Sequence, residues 1–260
     1  MASKLKVFAW DPTTVRENTT ICVLGRRGSG KSSAILSLLY KLRHRFDAAF
    51  AFCPTVDVYK KFEKIFPLSF VWNAPQTEES LQSMIRTFTD ILEKSKIRHA
   101  VIVSDDCAFN RQFFTTKAVR ELSYNGRNCN LTWILSCQGD VDLPKNIRTQ
   151  IDYALLMQDN DQPTRENYYK YFAGVFPSLK EFCRVFDQVT GFLRALVVDR
   201  VATSTDISKC VYFYQASFFE KLPPFRVSKD AFFVLDRLYN TKFRTGKQPS
   251  RSSQIIIQDQ

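Results

Sequence analysis

The stretch "CVLGRRGSGKSS" (residues 22–33) begins as an apolar run and then turns abruptly into glycine and positive charge. The β-branched segment "TTICVLG" (19–25) predicts a buried strand before this change. The segment "KSSAILSLLYKLRHRF" (31–46) predicts a helix after it, because its leucine and isoleucine residues recur at helical spacing. A strand, a glycine-rich loop and a helix in this order are the setting that a phosphate-binding loop requires.

The loop "GRRGSGKS" (25–32) matches the phosphate-binding pattern G-x-x-x-x-G-K-S/T. Glycines let such a loop fold tightly, so that successive backbone N–H groups point inward at phosphate oxygens. Lys31 can reach the β- and γ-phosphates, and the hydroxyl of Ser32 can ligate Mg²⁺. The residues predicted to bind a magnesium-bound nucleoside triphosphate are Gly25, Arg26, Arg27, Gly28, Ser29, Gly30, Lys31, Ser32 and Ser33. The side chains of Arg26 and Arg27 either touch phosphate or face a neighbouring subunit.

Two adjacent acids end the apolar run "HAVIVSDD" (99–106), which predicts a second buried strand. A phosphate-binding loop needs a carboxylate at the end of a neighbouring strand for Mg²⁺, and often a second one to polarise the attacking water. We assign Asp105 to the metal and Asp106 to the general base, although Asp106 is one methylene shorter than the glutamate that is usual there. The alternative is that the two acids cap the following helix.

Two further functions require polar residues near the γ-phosphate. Gln138 ends the predicted strand "LTWILSCQ" (131–138), where its amide can contact both the γ-phosphate and the lytic water and sense which nucleotide is bound. A cation must also neutralise the charge that develops on the γ-phosphoryl group, and a neighbouring subunit commonly supplies it. Arg127 in "YNGRNCNL" is the first candidate for this cation, and Arg148 in "NIRTQIDY" is the second.

The composition limits the class of protein. The chain has 260 residues, of which 45% are hydrophobic and 14% aromatic, so it can bury a sizeable core. Its net charge of +11 favours a polyanionic partner, either nucleic acid or a membrane surface. Seven scattered cysteines without a CxxC pair and only two histidines argue against a zinc site and against histidine-based nucleophilic catalysis. The sequence has no signal peptide and no run of about 18 apolar residues, so we expect an intracellular, reducing location and no membrane span.

Short apolar runs alternate with amphipathic segments, which predicts an α/β fold with a mostly parallel sheet flanked by helices. We expect residues 1–160 to form the core, with 151–157 as the last strand of the central sheet. Residues 161–236 are expected to complete the same domain with helices and an added hairpin from 192–200 and 210–216. Residues 237–260 are expected to form a basic, flexible tail, whose final segment "SRSSQIIIQDQ" (250–260) is either disordered or docks as an edge strand. Further predicted elements are helices over 58–66, 78–95, 111–123, 165–176 and 179–189 and strands over 47–54 and 68–72.

In combination, these segments resemble the A32-like genome-packaging ATPases of large DNA viruses, within the FtsK–HerA group of P-loop motors. The resemblance covers about residues 18–160 and departs from the family at Asn128, where histidine is usual, and at Gln150, where asparagine is common. It rests on "GRRGSGKSS", "FAFCPT", "VIVSDDC", "RELSYNGRNCNLTWILSCQ", "LP" and "IRTQIDYALLM", which follow one another in the family's order.

The resemblance implies a RecA-like P-loop NTPase core of the additional-strand (ASCE) class with a small C-terminal extension. Such a core hydrolyses ATP with Mg²⁺ and drives double-stranded DNA into a preformed capsid, as a ring of five or six subunits that docks on a capsid or portal protein. It implies work in the host cytoplasm, at the viral assembly site or on the virion. The implied roles are nucleotide binding for residues 25–33, Mg²⁺ binding for Asp105, water activation for Asp106, sensing for Gln138 and the trans-acting arginine for Arg127.

The positive charge then has a use, since a translocating ring contacts the DNA backbone without reading sequence. The candidate residues are those of the tail, or Arg111, Lys117 and Arg120 in the segment after Asp106.

Three alternative functions remain to be weighed against a motor. A P-loop nucleoside or nucleotide kinase shares the phosphate-binding loop but gives no reason for the Asp–Asp pair and the strand-end glutamine. A nucleotide-binding scaffold without turnover is compatible with the short Asp106. A GTPase is disfavoured because no N-K-x-D motif is present, and the scattered acids after residue 160 argue against an added nuclease.

Overall fold

The computed structural model describes residues 5–73, 79, 81–82, 98–107, 114–126, 128–138 and 143–244. Within these residues the chain forms one sheet of nine strands, in the order β1-β9-β8-β7-β2-β6-β5-β3-β4. The strands are β1 (Phe8–Ala9), β2 (Thr20–Leu24), β3 (Ala48–Phe52), β4 (Val71–Trp72), β5 (Ala100–Ser104), β6 (Leu131–Cys137), β7 (Tyr153–Leu156), β8 (Arg194–Asp199) and β9 (Val211–Gln215).

The six strands from β7 to β4 run parallel, with β2 near the centre between β7 and β6. Strand β8 is antiparallel to both β7 and β9, and β1 pairs in parallel with β9. Every residue of β2, β3, β5, β6 and β7 is buried. This continuous burial explains why these strands are mostly apolar, since helices cover both faces of a parallel sheet.

Helices pack on both faces of the sheet. They are α1 (Lys31–Leu42), α2 (Val56–Phe62), α3 (Lys117–Asn125), α4 (Lys145–Arg148), α5 (Gln162–Tyr171), α6 (Leu179–Val189) and α7 (Asp230–Arg244). The apolar residues of α1 and α2 join one core cluster, while those of α3, α5 and α6 join a second cluster on the other face. In the described part of the chain, none of the helices has the length and hydropathy that crossing a bilayer requires.

The predicted fold class, an α/β sheet that is mostly parallel and flanked by helices, is confirmed. The expectation that 151–157 forms the last strand of the sheet is wrong, because β8 continues the same sheet beyond β7 and pairs Leu155 with Val197. The predicted hairpin segments do form the antiparallel pair β8 and β9, and the unpredicted strand β1 adds to their outer side.

Several predicted boundaries differ from the structure. The helix expected over 31–46 ends at Leu42 and continues as a 3₁₀ turn, and the strand expected over 68–72 is reduced to Val71–Trp72 after a 3₁₀ turn. Helix α3 begins at Lys117 because Thr116 caps it, while residues 108–113, including Arg111, lie outside the described residues. Most of the helix predicted over 78–95 also lies outside them. Helix α7 extends past residue 237, where the tail was expected to begin, and residues 245–260 are not described.

The buried carboxylate of Asp236 attaches α7 to the turn before β4. It accepts hydrogen bonds from the backbone N–H groups of Leu68 and Ser69, at 2.8 and 3.0 Å, and from the hydroxyl of Ser69. Because the three donors converge on one side chain, Asp236 fixes the C-terminal helix to the far end of the parallel sheet.

We expect Asp236→Ala to lower the free energy of unfolding by about 1–3 kcal/mol, because two backbone N–H groups and a hydroxyl lose their acceptor. Asp230→Ala is the matched control on the same helix, since Asp230 makes only an exposed ion pair with Arg226. It should leave the stability nearly unchanged. Denaturant unfolding followed by circular dichroism measures both variants, and equal losses would contradict the anchoring role of Asp236.

Candidate nucleotide-binding site

The carboxyl ends of β2, β3, β5, β6 and β7 meet at one edge of the sheet, because these strands are parallel. A cavity of about 300 Å³ opens at this edge. Its lining residues are Arg27, Gly28, Gly30, Lys31, Ser32, Ser33, Thr55, Asp105, Asp106 and Gln138. The structure therefore brings most of the predicted nucleotide and metal residues together around one opening.

The loop that follows β2 depends on its glycines for two different reasons. Gly28 and Gly30 have φ angles of 79° and 94°, in the left-handed region that side chains disfavour. Gly25 is restricted by space, since an added Cβ would lie 2.7 Å from the Cβ of Met157 and 2.5 Å from the hydroxyl of Ser29. The loop thus turns tightly and packs directly against the residue that follows β7.

Lys31 begins α1 and places its ammonium group inside the loop. Its Nζ donates to the carbonyl oxygens of Gly25 and Arg26, at 2.9 and 3.0 Å. Burial lowers the pKa of Lys31, although the carboxylates of Asp105 and Asp106 act in the opposite direction. Gly30, the N-cap of α1, has no side chain to cap the helix, so the first-turn N–H groups are available to an anion.

The carboxylate of Asp105 follows β5 and is 1% exposed. It accepts hydrogen bonds from the hydroxyls of Ser32, at 2.7 Å, and Ser136, at 2.6 Å. Burial raises the pKa of Asp105, and the two serine hydrogen bonds oppose the rise. The nearby thiol of Cys53 points at the same carboxylate, and burial together with the charge of Asp105 raises the pKa of Cys53 to about 12. The cysteine therefore remains a neutral donor.

The oxygens of Ser32 and Asp105 fit a magnesium ion. Mg²⁺ prefers oxygen ligands and usually takes only one or two from the protein, completing its shell with waters and substrate phosphates. Within the described residues no group of three histidine, cysteine, aspartate or glutamate side chains could hold a metal ion. Two protein oxygens beside a phosphate-binding loop match this ligand preference of Mg²⁺.

Asp106 turns its carboxylate toward the same cavity. Its backbone φ of 55° is left-handed, and its N–H donates to the hydroxyl of Ser136 at 2.9 Å. One carboxylate oxygen accepts from the amide of Gln138 at 2.8 Å, and the other accepts from the hydroxyl of Thr55 at 3.3 Å. The ends of β3, β5 and β6 are therefore connected through this one side chain.

Among the arginines predicted for the site, only Arg27 is found to line the cavity within the described residues. Arg26 and Arg27 are both exposed, and Arg27 lines the cavity. Arg127 lies outside the described residues. Arg148 precedes β7 and so lies at the opposite edge of the sheet, where its guanidinium stacks on Tyr171 at 3.8 Å from the ring centroid. It is thus far from the cavity of its own chain.

Three residues of the site were missed in the sequence: Thr55, which donates to Asp106, together with Ser136 and Asp159. Ser136 links Asp105 and Asp106, and its position two residues before Gln138 was a usable signal, because alternate residues of a strand share a face. Asp159 is a buried carboxylate that follows β7 at the same edge, and its charge opposes the lowering of the pKa of Lys31. No sequence pattern marked Asp159, because it lies past the strand end in a polar run.

A parallel sheet with a glycine-rich loop after its central strand, a buried lysine in that loop and a strand-end carboxylate bonded to the loop serine define a P-loop NTPase. Comparison with known proteins gives the family. The model of the poxvirus A32 protein family matches residues 11–199, so the chain belongs to this family. The prediction of an A32-like genome-packaging ATPase, made from the order of the motifs, is confirmed at the level of the family.

Several relatives are viral proteins. The chain is 32% identical over 183 residues to protein 075L of Invertebrate iridescent virus 6, which covers 70% of each chain. It is 25% identical over 224 residues to protein L437 of Acanthamoeba polyphaga mimivirus, covering 82% of this chain and 78% of the relative.

Solved structures share the fold at low sequence identity. The genome packaging NTPase B204 from Sulfolobus turreted icosahedral virus 2, in complex with ATP-gammaS, superposes with a TM-score of 0.59 at 16% identity. The match covers 78% of this chain and all of B204. EssC (ATPases 2 and 3) from Geobacillus thermodenitrificans gives a TM-score of 0.56 at 12% identity, covering 89% of this chain and 46% of EssC.

We expect Ser136→Ala to lower the free energy of unfolding by about 1–3 kcal/mol, because one oxygen of the buried Asp105 carboxylate loses its donor and the N–H of Asp106 loses its acceptor. Ser123→Ala is the matched control, since Ser123 is also buried but its hydroxyl has no partner among the described residues. The control should be neutral or slightly stabilising. Denaturant unfolding measures both, and equal effects would contradict the bridging role of Ser136.

Proposed function

We propose that this protein hydrolyses ATP to translocate double-stranded DNA into a viral capsid. One observation carries the proposal: the Ser32–Asp105 pair beside Lys31 and the Asp106–Gln138 pair meet at the same cavity. The first pair suits a metal-bound triphosphate, and the second suits a water positioned for attack. Membership of the A32 family and the likeness to B204, a genome packaging NTPase, support the same function.

The phosphate-binding residues act by charge. Lys31 would exchange the two loop carbonyls for the β- and γ-phosphates, and the free N–H groups of the first turn of α1 would complete the contacts. Ser32 and Asp105 would hold Mg²⁺, which when bound neutralises the charge on the phosphate oxygens. The tight packing of the loop keeps these donors in place before the nucleotide arrives.

Asp106 is the proposed general base. It would accept a proton from a water that attacks the γ-phosphorus, while the bond from that phosphorus to the β–γ bridging oxygen breaks and ADP and phosphate form. Thr55 and Gln138 hold both oxygens of this carboxylate and so fix its direction. Because the Gln138 amide also borders the cavity, a γ-phosphate would compete with Asp106 for it. This competition gives Gln138 its proposed sensing role.

Double-stranded DNA is the proposed load. The net charge of +11 supplies the cations that backbone contacts require, and Lys117 and Arg120 on α3 are exposed. We propose that the chain acts as a ring of five or six subunits, docks on a capsid or portal protein and works at the site of virus assembly. Arg148 lies at the sheet edge opposite its own cavity, so any contact that it makes with a γ-phosphate would be in a neighbour's site.

ATP hydrolysis measured with and without duplex DNA tests the function. We expect duplex DNA to stimulate the wild type, whereas a nucleoside kinase would ignore DNA and require a nucleoside. Asp106→Asn should bind ATP nearly as well but hydrolyse it about 100- to 10,000-fold more slowly, the usual contribution of a general base. Lys31→Ala is the control that should lose binding as well. Steady hydrolysis by Asp106→Asn would exclude Asp106 as the base.

Subunit mixing tests the trans-acting arginine. Arg127→Ala should retain nucleotide binding and lose about a thousandfold or more in hydrolysis rate, the lower bound for an arginine finger. Mixing it with Lys31→Ala should recover hydrolysis, because one variant supplies an intact phosphate loop and the other an intact arginine. Arg148→Ala in the same assay separates the two candidates. Failure of either arginine variant to complement Lys31→Ala would rule out a trans role for that residue.

A further inference from the structure

Two aromatic rings are exposed together beside the cavity. Phe192 is 76% exposed and Phe218 is 38% exposed, and their ring centroids lie 5.6 Å apart. Single exposed apolar residues are common on protein surfaces, but adjacent ones form a patch that marks a binding surface. Neither ring takes part in the hydrolysis proposed above.

The pair lies at the same edge of the sheet as the phosphate-binding loop. Phe192 comes two residues before the first residue of β8, and Phe218 three residues after the last residue of β9, and both strand ends face that edge. Leu193, next to Phe192, packs on the loop, since an added Cβ on Gly30 would meet its Cδ2 at 2.6 Å. The N–H of Ser217, next to Phe218, donates to the hydroxyl of Ser37 on α1 at 3.1 Å.

The two aromatic segments are held to each other. The N–H of Ala216 donates to the carbonyl of Leu193 at 2.9 Å, and the amide of Gln215 donates to the carbonyl of Phe192 at 3.2 Å. Leu193 itself has a left-handed φ of 56°, which fixes the turn that presents Phe192. The backbone segments that carry the rings are therefore fixed before a ligand arrives, which reduces the entropy lost on binding.

The direction of a bound nucleotide follows from the order of strands. Asp106 and Gln138 follow β5 and β6, so the γ-phosphate end lies on that side of β2. Phe192 and Phe218 flank β8 and β9, on the other side of β2. Only β7 separates β8 from β2, so the two strands are about 10 Å apart. A triphosphate that crosses the loop from the γ-phosphate side therefore carries its base toward the aromatic pair.

We propose that Phe192 and Phe218 form the platform on which the base of the bound nucleotide stacks. The proposal rests on the nucleotide binding proposed above and names the part of the site that holds the base. Stacking on an aromatic face tolerates every base, and its strength grows with the area of the base. Purine nucleotides should accordingly bind more tightly than pyrimidine nucleotides.

Calorimetric titration with ATP and with inorganic tripolyphosphate tests the platform, because the second ligand has no base. Phe192→Ala should bind ATP about 5- to 150-fold more weakly, the range that loss of one base–aromatic stack corresponds to. Its affinity for tripolyphosphate should equal that of the wild type. Phe218→Ala should likewise bind ATP more weakly and tripolyphosphate as tightly as the wild type does. Phe192→Trp, which keeps an aromatic face, should bind ATP as tightly as the wild type. Phe8→Ala, which removes another exposed phenylalanine, is the control and should change neither affinity.

The possible outcomes separate this proposal from the one it rests on. Wild-type protein that binds neither ATP nor tripolyphosphate overturns the nucleotide site itself. Wild-type and Phe192→Ala proteins that bind ATP equally overturn the platform alone, and a lower mass of the Phe192→Ala assembly would then assign the rings to contact between copies. Equal weakening toward both ligands also overturns the platform, since Phe192 would then act through the loop.

Discussion

The buried carboxylate of Asp105 sets the strictest requirement in this molecule, because a charge removed from water must be compensated by hydrogen bonds or by an opposite charge. The hydroxyls of Ser32 and Ser136 supply the hydrogen bonds, and the buried ammonium of Lys31 contributes the opposite charge. These partners come from the start of α1 and from β6, while Asp105 itself follows β5. The compensation of one side chain thus fixes the relative positions of three segments that are distant in sequence.

Because the central strands pair in parallel, Asp105 and its partners lie at one edge of the sheet. The strands that supply the phosphate loop, the acids and the glutamine run in the same direction, so their carboxyl ends form a single row. The phosphate loop occupies the middle of the row, the acids and the glutamine occupy one side, and the aromatic pair occupies the other. In the nucleotide arrangement proposed above, each portion of the nucleotide would contact a different group of strands.

The sequence predicted the parallel core and the phosphate loop because their signals are local. A continuous apolar run, a glycine pattern and a strand-end acid can each be recognised from neighbouring residues alone. The extension of the sheet beyond β7 was not predicted. Strands β7 and β8 are separated by about 40 residues of chain, and the sequence of neither strand indicates which strand it pairs with. Ser136 and the pair Phe192 and Phe218 were missed for the same reason, since their importance comes from residues that only folding brings near.

The two edge strands of the sheet limit the ways in which copies of the chain could associate. Both edge strands of the described sheet, Phe8–Ala9 and Val71–Trp72, contain two residues each. Such short edges expose few free backbone N–H and C=O groups, so they offer little template for another strand. In the ring proposed above, copies of this protein would therefore associate through side chains on helices and loops, and such contacts would be free to slide and separate during the proposed cycle of hydrolysis. A continuous sheet across subunits would have fixed them rigidly.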